Sequence, residues 1–166
     1  MRVLFVCLGN ICRSPIAEGV LRRLAADAGI SVFVESAGTN QWHKGGPADL
    51  RSVKVCTENG VDISGHIARR FRPIDFAEYD RIFSLASDVT EEMGEFARTP
   101  ADLKRIENFM DLLPGESGRS VPDPWYGGER DFQECYRLVE AGCRAVLPSL
   151  RDPKKNGALS KGSAND

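Results

Sequence analysis

Val3-Leu4-Phe5-Val6-Cys7-Leu8-Gly9-Asn10-Ile11-Cys12-Arg13-Ser14-Pro15-Ile16-Ala17 is the stretch whose reading decides the fold. Val3 to Val6 is an unbroken apolar run rich in β-branched residues, the pattern of a strand covered on both faces of a parallel sheet. It stops at Gly9-Asn10. From Ser14 a helix pattern begins: Ser14 is placed to cap it, Pro15 takes the first helical position, and Ile16, Ala17, Val20, Leu21 and Leu24 recur at helical spacing up to Gly29. Strand, glycine-bearing loop and helix follow in order.

The same order recurs along the chain. Ser31 to Ser36 reads as a second strand and Pro47 to Asn59 as a helix closed by Gly60. Tyr79 to Leu85 reads as a third strand with a Ser87–Ala97 helix behind it, and Ile106 to Leu112 as a fourth. A last helix is expected from about Asp131 to Leu150, with Phe132, Cys135, Val139, Cys143, Val146 and Leu150 on one apolar stripe. Such alternation implies right-handed crossovers and an α/β fold, a three-layer open parallel sheet with helices on both faces. Residues 151–166, rich in Lys, Gly, Ser and Asn, are read as a flexible tail to a single domain of residues 1–150.

The 166 residues suit one domain with its own core, and 42% hydrophobic with 28% charged residues excludes collagen-like, coiled-coil and largely disordered classes. Lys plus Arg (22) against Asp plus Glu (24) leaves a net charge of −2, with no electrostatic footprint for nucleic acid or anionic membrane. The apolar run Val3 to Leu8 is far short of a signal-peptide core or a membrane span, so a cytoplasmic protein without membrane insertion is expected. The five cysteines are an odd number in a domain that needs no staples, and free thiols are expected. Cys56, Cys135 and Cys143 read as core thiols. His43 and His66 do not pair with cysteines in zinc-site spacing, and no metal or cofactor is implied. Arg69-Arg70-Phe71-Arg72 reads as a solvated face.

In open α/β sheets ligands bind beyond the carboxyl ends of the strands, where Cys7 to Ser14 falls. By composition alone, five Cys and 16 Arg make a Cys followed six places later by Arg an event expected about 0.5 times in 166 residues. Position therefore matters more than spelling. A short loop entering a helix can turn its unpaired N–H groups inward to hold an oxyanion, and Gly9 permits the backbone angles this needs. Arg13 can grip two phosphoryl oxygens, and its charge together with the helix start favours the ionised Cys7 thiol. Ser14 can donate its hydroxyl to that sulfur. Expelling an alkoxide or phenolate also needs a proton donor. Asp123 is the candidate, in Val121-Pro122-Asp123-Pro124-Trp125-Tyr126-Gly127-Gly128, where two prolines stiffen the segment and aromatics flank the acid.

Val6 to Pro15 together with Asp123-Pro124-Trp125-Tyr126 resembles the low-molecular-weight protein tyrosine phosphatases. The likeness extends through Ser36-Ala37-Gly38-Thr39, Trp42-His43, Gly60 and Ser64-Gly65-His66 to about residue 150. It implies a flavodoxin-like sheet of four strands in the order 2-1-3-4, with an N-terminal phosphate-binding loop. It also implies metal-free hydrolysis of phosphotyrosine and aryl phosphates in two steps, with Cys7 as nucleophile, Arg13 on the phosphate and Asp123 as acid, then base. Leu8, Gly9, Asn10, Ile11, Cys12, Arg13 and Ser14 would bind the phosphate, with Asn10 holding the loop's strained shape. Ser14, Ser36 and His66 would support the loop, and Leu8, Trp42, Trp125 and Tyr126 would form the substrate walls. Cys12 would form a reversible disulfide with Cys7. Tyrosine-phosphorylated proteins would be the substrates of a monomer or weakly self-associating protein.

One departure is visible. Where family members often carry Met-Asp-x-x-Asn, this chain has Leu85-Ala86-Ser87-Asp88-Val89, so Ala86 replaces a carboxylate, and an altered support for His66 is expected. Three other uses of such a loop are compatible with parts of the pattern. Arsenate reduction would need further thiols between Cys56 and Cys135, where none stands. Phosphoarginine hydrolysis goes with a small polar residue at the position of Ile11. A phosphate or sulfate sensor switched by Cys7 and Cys12 would not require Asp123 beside two aromatics.

Overall fold

A computed structural model describes residues 1–151. Strands β1 (Arg2–Cys7), β2 (Phe33–Gly38), β3 (Arg81–Ser84) and β4 (Ile106–Asn108) form one parallel sheet in the order β2-β1-β3-β4. Between and after them run α1 (Arg13–Asp27), α2 (Leu50–Glu58), α3 (Asp75–Glu78), α4 (Ser87–Phe96), α5 (Pro100–Leu103) and α6 (Glu129–Val146). The expected tail lies outside the described residues except for Arg151.

The period of two along β1 sorts its side chains between two cores. Val3, Phe5 and Cys7 enter the one built with α1, α2 and α6, while Leu4 and Val6 enter the one built with α3 and α4. The residues from Val3 to Val6 are fully buried, which is why the strand reads as a continuous apolar run. Phe5 lies 5.7 Å from Phe83 and 5.8 Å from Phe109, ring centre to ring centre, and fully burying each such side chain stabilises the fold by roughly 1.5–3 kcal/mol.

Two local expectations are corrected and a third is extended. The fourth strand is shorter than Ile106–Leu112: after Asn108 the chain turns into a 3₁₀ segment, Phe109–Leu112. The Asp111 carboxylate fastens this turn, accepting from Asn108 Nδ2 at 2.9 Å and from the Gly118 amide at 2.7 Å. Helix α1 begins at Arg13 with Cys12 as its cap, so Ser14 sits inside the first turn and caps nothing. In the Arg69–Arg72 run Arg70 and Arg72 are exposed, as a solvated face requires, while Arg69 and Arg72 also reach the fully buried Asp75 at 2.9 and 3.1 Å. Arg70 lies over the Phe96 ring.

Topology brings distant segments to the end of β1. The chain leaves β1 for β2 on one side and later returns to β3 on the other, so a crevice opens beyond the carboxyl ends of β1 and β3. The Leu85 amide donates to the Val6 carbonyl at 3.0 Å, and the Val121 amide donates to the Leu85 carbonyl at 2.8 Å. This ladder of two bonds carries the Val121–Gly128 segment to the rim of the crevice.

Candidate active site

Residues 8–12 link β1 to α1 as a loop folded into the protein: Asn10 and Ser14 are fully buried, and Cys7, Ile11, Cys12 and Arg13 nearly so. Among the described residues, no acceptor takes the backbone N–H of any residue from Leu8 to Ser14. Buried amides without partners are costly, and a run of them at a helix start is a site for an oxyanion.

Asn10 holds the loop in this shape. It is the only non-glycine residue with positive φ (58°) among the described residues, a conformation that asparagine tolerates better than most. Its Oδ1 accepts from the Arg69 amide at 3.0 Å, which orients the side-chain amide. Its Nδ2 then donates to Ser14 Oγ at 2.8 Å and to Ser36 Oγ at 2.9 Å. With that lone pair occupied, the Ser14 hydrogen is left for Cys7 Sγ at 2.9 Å, the alternative acceptor, the Ala37 carbonyl, being 3.5 Å away. The Ser36 hydroxyl donates to Glu18. His66 Nε2 donates to the Asn10 carbonyl at 2.8 Å, and its Nδ1 lies 3.6 Å from Glu18 Oε2. Burial would raise the Glu18 carboxyl, but hydrogen bonds from His66, Ser36 and Arg22 overcome it and the net shift is downward.

Glu18 therefore supplies the carboxylate beside His66, and Ala86 supplies none. Ala86 caps α4 instead, where its carbonyl accepts from Ser84 Oγ at 2.8 Å and Thr90 Oγ1 at 3.2 Å.

Gly38, at the end of β2, lets the loop pack this closely. A Cβ there would lie 2.7 Å from the Leu8 carbonyl oxygen and 3.0 Å from the Asn10 nitrogen, both backbone atoms that cannot swing aside. Gly38→Ala is expected to cost roughly 1–3 kcal/mol of stability by overpacking. Because the strain falls on the loop, vanadate affinity should drop as well. Thermal unfolding and a vanadate titration check this, and unchanged values in both would contradict the packing argument.

Arg13 is fixed from the opposite side, where its Nη1 donates to the Val121 carbonyl at 3.0 Å and its Nη2 lies 3.5 Å from Asp123 Oδ2. Asp123, about a third exposed, also accepts from the Trp125 amide at 3.1 Å. Together with Cys7, Leu8, Gly9, Ile11 and Cys12, these residues line a cleft of about 180 Å³ whose upper walls are Asn40, Trp42, His43, Trp125 and Tyr126. Trp42 and Tyr126 are 81% and 94% exposed, so neither is a core residue and both border the opening. Asn40 and His43 were not anticipated as wall residues; the His43 ring lies 5.7 Å from Trp125.

The thiols separate clearly. Burial, reinforced for Cys12 by the charge of Asp49, pushes Cys12 and Cys56 up to about 12, and burial raises Cys135 and Cys143 as well. Those thiols stay protonated near neutrality, and the Ser14 hydroxyl lies 2.9 Å from Cys7 Sγ. The described residues contain no group of three or more side chains able to hold a metal.

The sheet order, the cysteine-to-arginine loop at the end of the first strand and the carboxylate facing that arginine define an open α/β protein with its site beyond the carboxyl end of β1. The sequence profile described as "Low molecular weight phosphotyrosine protein phosphatase" matches residues 2–156, and the chain belongs to that family. It is 39% identical over 155 residues to a low molecular weight protein-tyrosine-phosphatase of Streptomyces coelicolor, covering 91% of this chain and 94% of that one. Its fold superposes on a protein tyrosine phosphatase from Entamoeba histolytica, solved with Hepes in the active site, at TM-score 0.84 and 33% identity over 96% and 99% of the two chains. A Drosophila arginine phosphatase also superposes at TM-score 0.84, with 27% identity over 92% of this chain and 99% of that one.

Proposed function

We propose that residues 1–150 form a single phosphatase domain that hydrolyses phosphotyrosine and other aryl phosphate monoesters through a cysteinyl-phosphate intermediate. The observation that carries this reading is the run of unpartnered amides from Leu8 to Ser14 around the Cys7 thiol, closed by the buried Arg13. The Cys7 thiolate attacks phosphorus, and the bond to the aryl oxygen breaks. Arg13 and the loop amides hold the three non-bridging oxygens, whose charge must be stabilised in the transition state. Asp123 gives its proton to the departing phenolate. It then takes a proton from water as the water oxygen attacks the phosphorus on Cys7, which releases inorganic phosphate and restores the thiolate.

Trp42, Trp125 and Tyr126 offer flat faces, and Leu8 an aliphatic one, to an aromatic leaving group. Asn10, Ser14, Ser36 and His66 keep the loop in the shape that attack requires. Cys7 and Cys12 line the same cleft, and oxidation joining them would switch the enzyme off reversibly while shielding the nucleophile. Tyrosine-phosphorylated proteins are the substrates of this reading, acted on in the cytoplasm by a monomeric or weakly self-associating enzyme. No described helix is long and apolar enough to cross a membrane.

Likeness to an arginine phosphatase supports a second reading, hydrolysis of phosphoarginine. Ile11, apolar and nearly buried at the cleft, favours the aryl ester. Rates on matched phosphotyrosine, phosphoserine and phosphoarginine peptides decide, with arsenate reduction as a control. Phosphotyrosine is expected to lead, in mildly acidic solution, insensitive to chelator and inhibited by vanadate. A faster rate on phosphoarginine would select the second reading, and binding without turnover of any substrate would leave an anion sensor.

A further inference from the structure

Asp123, Trp125 and Tyr126 all ride on a segment, residues 121–128, that belongs to no helix or strand. It is anchored at its ends. The Val121 amide holds to Leu85 at 2.8 Å, and the Gly128 amide holds to Asp131 Oδ2 at 2.8 Å next to α6. Between those anchors the bonds within the segment are local: Trp125 amide to Asp123 at 3.1 Å, and Gly127 amide to the Pro124 carbonyl at 2.9 Å. Such local bonds set the shape of the turn but not its place relative to Cys7.

Two side chains from elsewhere reach the segment: Arg13, whose Nη2 lies 3.5 Å from Asp123 Oδ2, and Arg51, which alone of the two holds the backbone at Trp125 and Gly127. Arg51, in the first turn of α2, donates from Nη1 to the Trp125 carbonyl at 3.1 Å and reaches the Gly127 carbonyl at 3.5 Å. Its other edge is bound twice to Asp49, Nε to Oδ1 and Nη2 to Oδ2, both at 3.0 Å. The guanidinium lies over the Phe132 ring, 4.6 Å from its centre, and 5.5 Å from that of Trp125. Asp49 is itself tied to the phosphate loop, its amide donating to the Ile11 carbonyl at 2.8 Å, and its carboxylate caps α2 through the Arg51 amide at 2.8 Å. Burial would raise the Asp49 carboxyl, but the bonds from Arg51 overcome it and hold the group ionised. Lys54 pairs with Glu129 at 3.1 Å and so ties α2 to the start of α6, touching neither Trp125 nor Gly127.

We infer that Arg51 is a positioning residue: with Asp49 it forms a strut from the Ile11 carbonyl of the phosphate loop to the Trp125 and Gly127 carbonyls, setting where Asp123 and the Trp125 wall stand relative to Cys7. Only a planar fork can serve both ends at once, so lysine does not substitute. A general acid misplaced by a fraction of an ångström loses most where proton transfer matters most, at poor leaving groups. This inference rests on Asp123 as the leaving-group acid.

The test is a series of aryl phosphates of graded leaving-group basicity, with kcat/KM measured for Arg51→Met, Arg51→Lys, Asp49→Asn and Asp123→Ala beside the parent. In both Arg51 variants kcat/KM on phenyl phosphate is expected to fall about 10-fold or more while dinitrophenyl phosphate changes by about threefold or less. Asp49→Asn, which keeps Arg51 on the carbonyls but weakens its footing, should show the same tilt to a smaller degree. Should Arg51→Met fail to fold, as thermal unfolding would reveal, the lysine and asparagine variants still decide. Full rescue by lysine, or equal losses across the series, overturns the strut. A flat series for Asp123→Ala instead overturns the acid assignment on which it stands.

Discussion

Cys7→Ser is expected to lower turnover of aryl phosphates by at least about 10⁴-fold while vanadate and phosphate still bind. The two halves of this result have separate causes. Turnover requires a sulfur that is both nucleophilic and able to leave again as thiolate when water attacks. A serine alkoxide is far harder to form beside the Ser14 hydroxyl, and an oxygen ester would be slow to break. Binding, by contrast, depends on Arg13 and on the Leu8–Ser14 amides, whose positions are set by Asn10, Ser36 and His66 rather than by Cys7. Steady-state rates and isothermal titration with vanadate measure the two separately. Turnover clearly above that of a purified empty-vector control would remove Cys7 from the nucleophile role, and loss of vanadate binding would show that the loop itself had been disturbed.

Asp123→Ala carries the second large effect, and its diagnostic is a slope. General acid catalysis contributes about 10²–10⁴-fold, and it contributes most where the departing oxygen is most basic. Phenyl phosphate should therefore lose about that factor in kcat/KM, whereas a dinitrophenyl ester, whose phenolate leaves without a proton, should lose little. For such activated esters the second step becomes limiting, because no base remains to take the proton from water. Phosphoenzyme should then accumulate, and a phenolate burst should precede a slow steady state. A uniform loss over all leaving groups would move the acid role to another residue. The 3.5 Å separation of Asp123 Oδ2 from Arg13 Nη2 adds a consequence: removing the carboxylate frees one edge of the arginine, so phosphate affinity should hold or rise.

Much of the site was legible because its parts are contiguous. The apolar run of β1, Gly9-Asn10 and the helix start declare the loop within a few residues, and the parity of Val3, Phe5 and Cys7 assigns the thiol to the face that α1 covers. Cys135 and Cys143 declare themselves as core thiols through the apolar stripe of α6. Glu18, one helical turn beyond Ser14, is not legible as a site residue, because a carboxylate on the flank of the apolar face of α1 has the look of a solvated one. Its partner His66 stands 48 positions further along the chain, so nothing local marks the pair. The strut was not readable at all, since Arg51 meets Trp125 across 74 residues and nothing local to either marks the meeting. Nor was the anchoring of Arg69 and Arg72, whose exposed run gives no sign of the buried Asp75 beneath it. Contiguous backbone chemistry can be read from the order of residues, but long-range side-chain pairing waits for the topology that brings the partners together.

The most direct test of the nucleophile is to quench Asp123→Ala with acid during turnover of dinitrophenyl phosphate and map the protein by mass spectrometry. The peptide that begins at Val3 and contains Cys7 should carry one added phosphoryl group on sulfur, absent when Cys7→Ser is combined with the same substitution. Phosphorus on any other residue, or a full burst of phenolate with an unmodified Cys7, would contradict attack by that thiolate.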